Sequence, residues 1–218
     1  MKPLFIDFET NISGKFYLVG ISNDSTFKQI ILNNELKGLA EEKNIEIKKS
    51  EDFLNETIEK IIRNNSTIVA YGEHEKNLIK KHLKKEHFNK INYLNIHKAI
   101  RKYIRRTKGM LELYRSFYDD LPNNFQNKRY SLINVMYFFT KVKPSDYAIG
   151  LTTGRLNTVI NALNIRNQVY SRLTPVQKAK ATKALKHNKY DVSSIKWMLA
   201  KLSKESPKLI KEFTTKIP

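Results

Sequence analysis

The chain has 218 residues, 40% hydrophobic and 28% charged, which suits a soluble globular protein with ample core. The absence of cysteine excludes disulfides, thiolate zinc sites and cysteine nucleophiles together, so any metal must be held by oxygen or imidazole. The net charge of +19 is uneven: residues 1–60 carry 8 Lys and Arg against 11 Asp and Glu, while residues 61–218 carry 32 against 10. That imbalance points to a polyanion partner for the later two thirds, nucleic acid first, although Lys on helix faces also serves solubility alone. No apolar run approaches the roughly 18 residues of a membrane span, and no signal-peptide pattern precedes the first strand, so a cytoplasmic protein without a membrane partner is expected.

Leu4-Phe5-Ile6-Asp7-Phe8-Glu9-Thr10 reads as a first strand of a buried, pleated surface. Alternation puts Asp7 and Glu9 on one face, two residues apart. Such crowding costs several kcal/mol in desolvation and repulsion unless something compensates, and a divalent cation with oxygen ligands is the economical remedy. A solvated strand face is the bland alternative.

Phe16 to Ile21 and Thr26 to Leu32 are two further strands around the turn-forming Asn23-Asp24-Ser25, and such short connections make all three antiparallel neighbours. Residues 34–50 read as a loop or short helix. From Ser50, Phe53, Leu54, Ile58, Ile61 and Ile62 recur at helical spacing until Asn64-Asn65. Thr67 to Tyr71 is a fourth strand, reached through a helix and so parallel to its neighbour. A helix over 73–86 buries Leu78, Ile79 and Leu83. Glu75 stands three and four residues before the first two, which puts an acid on the apolar face at the end nearest the fourth strand. First-turn dipole compensation accounts for it equally well, and Glu73 is its rival.

Ile91 to Leu94 is a fifth strand. In the helix after it, Lys98, Arg101, Lys102, Arg105 and Arg106 interleave with Tyr103, a combination suited to gripping phosphates and stacking on a base, though also compatible with a solvated face. Residues 110–128 read as irregular or weakly helical around Leu121-Pro122-Asn123-Asn124. Helices follow over 130–140 and 152–163. The stretch 110–170 could be a helical insertion within a single domain spanning 1–218. In the basic last third, Thr174-Pro175-Val176-Gln177 matches a capped helix start. Ile195, Met198, Leu199 and Leu202 then define a buried face, and steps of four back from Ile195 land on Asp191 and His187. An acid and an imidazole one turn apart therefore point inward, unless Asp191 caps a local helix break.

Taken with those segments, the chain resembles the DEDD exonucleases of the ribonuclease-H-like superfamily. Phe5-Ile6-Asp7-Phe8-Glu9-Thr10 is similar to their first motif, an apolar strand bearing Asp-x-Glu. Tyr71-Gly72-Glu73-His74-Glu75 looks like the second, with Glu where Asp is usual and Tyr where Asn is usual. His187-Asn188-Lys189-Tyr190-Asp191 is similar to the third, with His at the spacing that usually holds Tyr.

The resemblance implies an α/β fold: a ribonuclease-H-like mixed sheet of five strands, three antiparallel and then parallel ones, flanked by helices, with a helical C-terminal third. It also implies a 3′–5′ exonuclease using two Mg²⁺ or Mn²⁺ ions about 4 Å apart to cleave phosphodiester bonds of DNA or RNA. Asp7, Glu9, Glu75 and Asp191 would be the ligands and His187 the general base. Lys98, Arg101, Lys102, Arg105, Arg106, Lys183 and Lys186 would grip the substrate, single-stranded ends above all, and Phe8 or Tyr190 would stack on the terminal base. The alternatives are a catalytically inactive nucleic-acid-binding scaffold of the same fold and a structure-specific endonuclease. The chain could also be one component of a larger nucleic-acid-processing complex.

Overall fold

A computed structural model describes residues 2–11, 13–126 and 129–218, the side chain of Asn124 excepted. The chain opens with a three-stranded meander, β1 (Lys2–Thr10), β2 (Phe16–Ser22) and β3 (Phe27–Ile31), each strand antiparallel to the next. A short helix α1 (Lys37–Lys43) leads to a two-residue strand β4 (Glu46–Ile47), parallel to β3. Helix α2 (Ser50–Asn64) then returns the chain to β5 (Ser66–Ala70), which pairs in parallel with β1 along Lys2–Phe5. Helix α3 (His74–His82) leads to β6 (Asn92–Asn95), parallel to β5.

The rest is helical: α4 (Ile96–Arg106), α5 (Met110–Asp119), α6 (Leu132–Thr140), α7 (Thr152–Ile165), α8 (Pro175–Glu205) and α9 (Pro207–Phe213). A last strand, β7 (Thr214–Lys216), pairs antiparallel with β6, giving the order β4-β3-β2-β1-β5-β6-β7. The fold is thus α/β on a mixed sheet of seven strands, where five were expected, and their order along the sheet is not that of the chain. The two additions are edge strands of two and three residues, too short to carry a period-2 signal.

Residues 110–128 also differ from expectation. Met110, Leu111, Tyr114, Phe117 and Tyr118 lie at helical spacing and form α5, and the Leu121-Pro122 breaker merely ends it. Residues 127 and 128 of that stretch lie outside the described residues.

Apolar alternation in β1 divides the core. Ile6 and Phe8 face α2 and α3, packing with Phe53, Leu54, Ile58, Ile61, Leu78 and Ile79, each burial contributing on the order of 2 kcal/mol. Phe5 faces the opposite side with Val69 and Leu94, against Ile100 and Ile104 of α4 and Ile195, Met198 and Leu202 of α8. Helix α8 starts where expected: Thr174 Oγ1 accepts from Gln177 N, Gln177 Oε1 accepts from Thr174 N, and Pro175 takes the first helical position. Its early Ala181 and Ala184 meet Leu156, Val159 and Ile160 of α7, and its later half lies over the sheet and α4. No helix among the described residues is long and apolar enough to cross a membrane.

Candidate active site

β1 outruns its parallel partner. Its pairing with β5 ends at Phe5, so Asp7 and Glu9 project beyond the carboxyl end of β5 while the other edge of β1 stays paired with β2. Between β1 and β5 the chain also reverses direction across the sheet, and open α/β sheets offer their ligand crevice at such a switch point. The turn leaving β5 enters α3, whose first turn carries Glu75. Helix α8 crosses the same end and brings His187 and Asp191.

Among the described residues, His187, Asp191 and Glu9 are brought together, with one ligand atom from each lying within 4.8 Å of the others, and Asp7 and Glu75 stand outside that group. His187 Nε2 is 3.2 Å from Asp191 Oδ2. Its Nδ1 lies 2.9 Å from the Tyr147 carbonyl, which can only accept, and 3.5 Å from Arg155 Nη1, which can only donate; the shorter contact assigns the hydrogen to Nδ1 and leaves Nε2 facing the acids. Arg155 of α7 fastens that carbonyl from the other side, Nη1 donating at 2.7 Å, and Nη2 donates to Ile149 O. Asp7 Oδ2 accepts from Asn188 Nδ2 at 2.8 Å.

Electrostatics ties the acids into one group. Burial, reinforced by the charges of Asp191, Glu9 and Glu75, holds the Asp7 carboxyl well above the ordinary carboxylate range, and the Asn188 amide opposes the rise. Burial and the Asp191 charge push Glu9 up to about 7. Glu75, 7% exposed, is pushed up to about 7 chiefly by burial, with Asp191 adding to it. Burial alone would lower the His187 imidazole, but the hydrogen bond and charge of Asp191 raise it above its usual value.

These residues fit a hard divalent cation. The donors are carboxylate oxygens whose mutual repulsion a cation would relieve, and the His187 imidazole nitrogen stands beside them. The Thr152 hydroxyl is buried beside Glu9, its geometry short of a full hydrogen bond. It favours the charged form of Glu9, and a water carried by a cation would satisfy it.

Glu73, the rival of Glu75, is engaged elsewhere: Lys98 Nζ is 2.7 Å away and Asn95 Nδ2 donates at 2.8 Å. A cavity of about 640 Å³ opens on the same site, and its lining includes His187, Asp191, Leu132, Ile133, Ile149 and Leu151.

The expected grip residues divide. Arg101 lies over the Tyr130 ring, 5.4 Å from its centroid, and both Arg101 and Arg105 are exposed. Arg106 and Lys102 face Glu212 at 2.9 and 3.9 Å. Lys183 pairs with Asp146 at 2.6 Å, and Lys186 lies over the Tyr147 ring. Two expected stacking residues are corrected. Phe8 points to the face of β1 away from the acids and packs edge-on against Phe16 and Phe53. Tyr103 is buried on the inner stripe of α4 and donates to Glu205. Tyr190 stays half-buried against Tyr147.

Asn188, Gln29, Gly20, Thr152, Arg155 and Tyr147 were not singled out from the sequence. Only Asn188 left a signal, a polar residue one turn before Asp191 on the buried stripe of α8.

Comparison with protein-family models, curated proteins and solved structures found no match to this chain.

Proposed function

We propose that this protein is a divalent-metal-dependent nuclease, a 3′–5′ exonuclease hydrolysing phosphodiester bonds of DNA or RNA. One observation carries the reading: Glu9 on β1 and His187 and Asp191 on α8 bring ligand atoms within 4.8 Å of one another at one sheet end, with Asp7 and Glu75 within electrostatic reach, in a chain of net charge +19. The central run β3-β2-β1-β5-β6, antiparallel on one side of β1 and parallel on the other, supports a ribonuclease-H-like assignment of the fold.

Asp7, Glu9, Glu75 and Asp191 would hold Mg²⁺ or Mn²⁺, which when bound supply Lewis-acid activation of water and charge stabilisation at the leaving oxygen. His187 Nε2, its ring fixed through Nδ1 to Tyr147 O, takes the proton of the attacking water. The cavity with Leu132, Ile133, Ile149 and Leu151 receives the terminal base by apolar packing. Arg101 and Arg105 hold phosphates of the approaching strand.

The test uses end-labelled single-stranded DNA and RNA with Mg²⁺ or Mn²⁺. Cleavage from the 3′ end that disappears in Asp7→Ala and Asp191→Ala is expected, and cleavage surviving either change removes the proposal's basis. Attack on a circular strand would replace exonuclease with endonuclease. Cation-dependent thermal stabilisation without cleavage would leave a binding scaffold.

A further inference from the structure

Three residues stand side by side across three strands. Asp7 of β1 is opposite Gly20 of β2, and Gly20 is opposite Gln29 of β3. Directly paired positions share a face of the sheet, so the missing side chain at Gly20 leaves a notch between a carboxylate and an amide. Asn188 of α8 fills it. A Cβ built on Gly20 would lie 2.5 Å from Asn188 Oδ1 and 2.8 Å from Val192 Cγ2, closer than real contacts allow.

The polar atoms in the notch are matched in one sense. Gln29 Nε2 donates to Asn188 Oδ1 at 3.0 Å and to the Leu185 carbonyl at 2.9 Å. With its oxygen engaged, Asn188 turns Nδ2 to Asp7, donating at 2.8 Å to Oδ2 and at 3.1 Å to the main-chain oxygen. Asn188 is completely buried, so water does not compete for these bonds.

We infer that Gln29 and Asn188 are positioning residues for Asp7: through the Gly20 notch they fix the plane of its carboxylate and seat α8 so that Asp191 arrives beside it. This rests on the metal-binding reading above and adds to it residues that touch no metal. The sense of the relay makes Gln29 decisive at a distance. An acceptor at position 29 would turn the Asn188 amide over and present Oδ1 to Asp7, setting oxygen against oxygen.

Binding of Mn²⁺ to the full chain, followed by the loss of its free electron-paramagnetic-resonance signal, tests this without relying on turnover. Wild-type protein should bind saturably and Asp7→Ala should not; absence of wild-type binding overturns the metal reading and this inference together. Given wild-type binding, Asn188→Leu and Gln29→Glu should each weaken Mn²⁺ affinity by about 10-fold or more, the usual consequence of losing a group that orients a ligand. Gln29→Met, which removes the donor without adding an acceptor, should fall between Gln29→Glu and wild type. Wild-type affinity in folded Asn188→Leu and Gln29→Glu overturns the inference alone. If Asn188→Leu fails to fold, Gln29→Glu decides, because a purely structural role lowers melting temperature without moving the Mn²⁺ dissociation constant.

Discussion

Glu73 and Glu75, two residues apart, have opposite surroundings. Glu73 is 2.7 Å from Lys98 Nζ, and that hydrogen bond holds its carboxyl below the usual range. Glu75 is buried at the head of α3, and that burial, with the Asp191 charge adding to it, holds it up to about 7. The turn after β5 sorts the two acids, sending one to the basic face of α4 and the other to the sheet end. Glu75→Gln should therefore lower metal-dependent cleavage by at least about 100-fold, since groups acting as a unit fail together. Glu73→Gln should change it by no more than about fivefold, the worth of an exposed ion pair. Equal losses from the two substitutions, measured as kcat/KM on a labelled oligonucleotide, would refute the assignment.

The same burial sets the pH dependence of the metal-free protein. An acid whose pKa is raised on folding contributes stability that is complete below its ordinary value and is lost as pH climbs through its folded value. Glu75 and Glu9 lose theirs between about 4.5 and 7, and Asp7 and His187, also raised, act in the same sense. His74 and His97, lowered by burial, act in the opposite sense, below their ordinary value of 6.5. Glu75→Gln imitates the protonated acid without titrating. At pH 8 in chelator it should be more stable than wild type by roughly 3 kcal/mol, at about 1.4 kcal/mol per pH unit of displacement. The advantage should vanish by pH 4.5. Melting curves of both proteins across this range check it, and parallel profiles would contradict it.

Gly20→Ala should destabilise the chain by about 1–3 kcal/mol, as overpacking of a filled core does. The new methyl would meet Asn188 and Val192 on a helix that cannot back away without leaving its apolar seat. Chemical denaturation reads this directly. A neutral result would mean that α8 sits more loosely on β2 than the 2.5 Å approach implies.

Not every cation on α4 is equally available to phosphate. Arg105 is exposed and Arg101 lies over Tyr130, whereas Lys98 and Arg106 already face Glu73 and Glu212. Arg101→Ala and Arg105→Ala should each reduce the slope of log affinity against log salt by about 1, and Lys98→Ala by less. Glu73→Gln should tighten binding by releasing Lys98. Fluorescence anisotropy over a salt series separates these outcomes, and identical slopes for all variants would discount α4 as a phosphate track.

Much of the site was legible because it violates patterning. Acids at Asp7 and Glu9 in an apolar strand, at Glu75 on an apolar helix face, and at Asp191 in register with Ile195 are anomalies that a period of two or 3.6 exposes. What stayed hidden depends on neighbours distant in sequence. Gly20 is unremarkable until β2 lies between Asp7 and Gln29, and Arg155 matters because the fold brings it and Tyr147 O together at His187 Nδ1. Phe8 and Tyr103 belong to the core by the very periodicity that locates the acids: Phe8 alternates away from Asp7 and Glu9, and Tyr103 lies on the stripe of Ile96, Ala99, Ile100 and Ile104.

Helix α8 is one unbroken rod of 31 residues, about 46 Å long. Its first half is keyed to α7 through Ala181 and Ala184, and its second half to α4 and the sheet. One extra residue between Ala184 and His187 would rotate everything beyond it by about 100°. Asp191 would swing off the sheet end while Thr174 and Gln177 still closed the distant cap. The phase of a single screw, counted from a cap nearly five turns away, therefore decides whether the last acid meets the first.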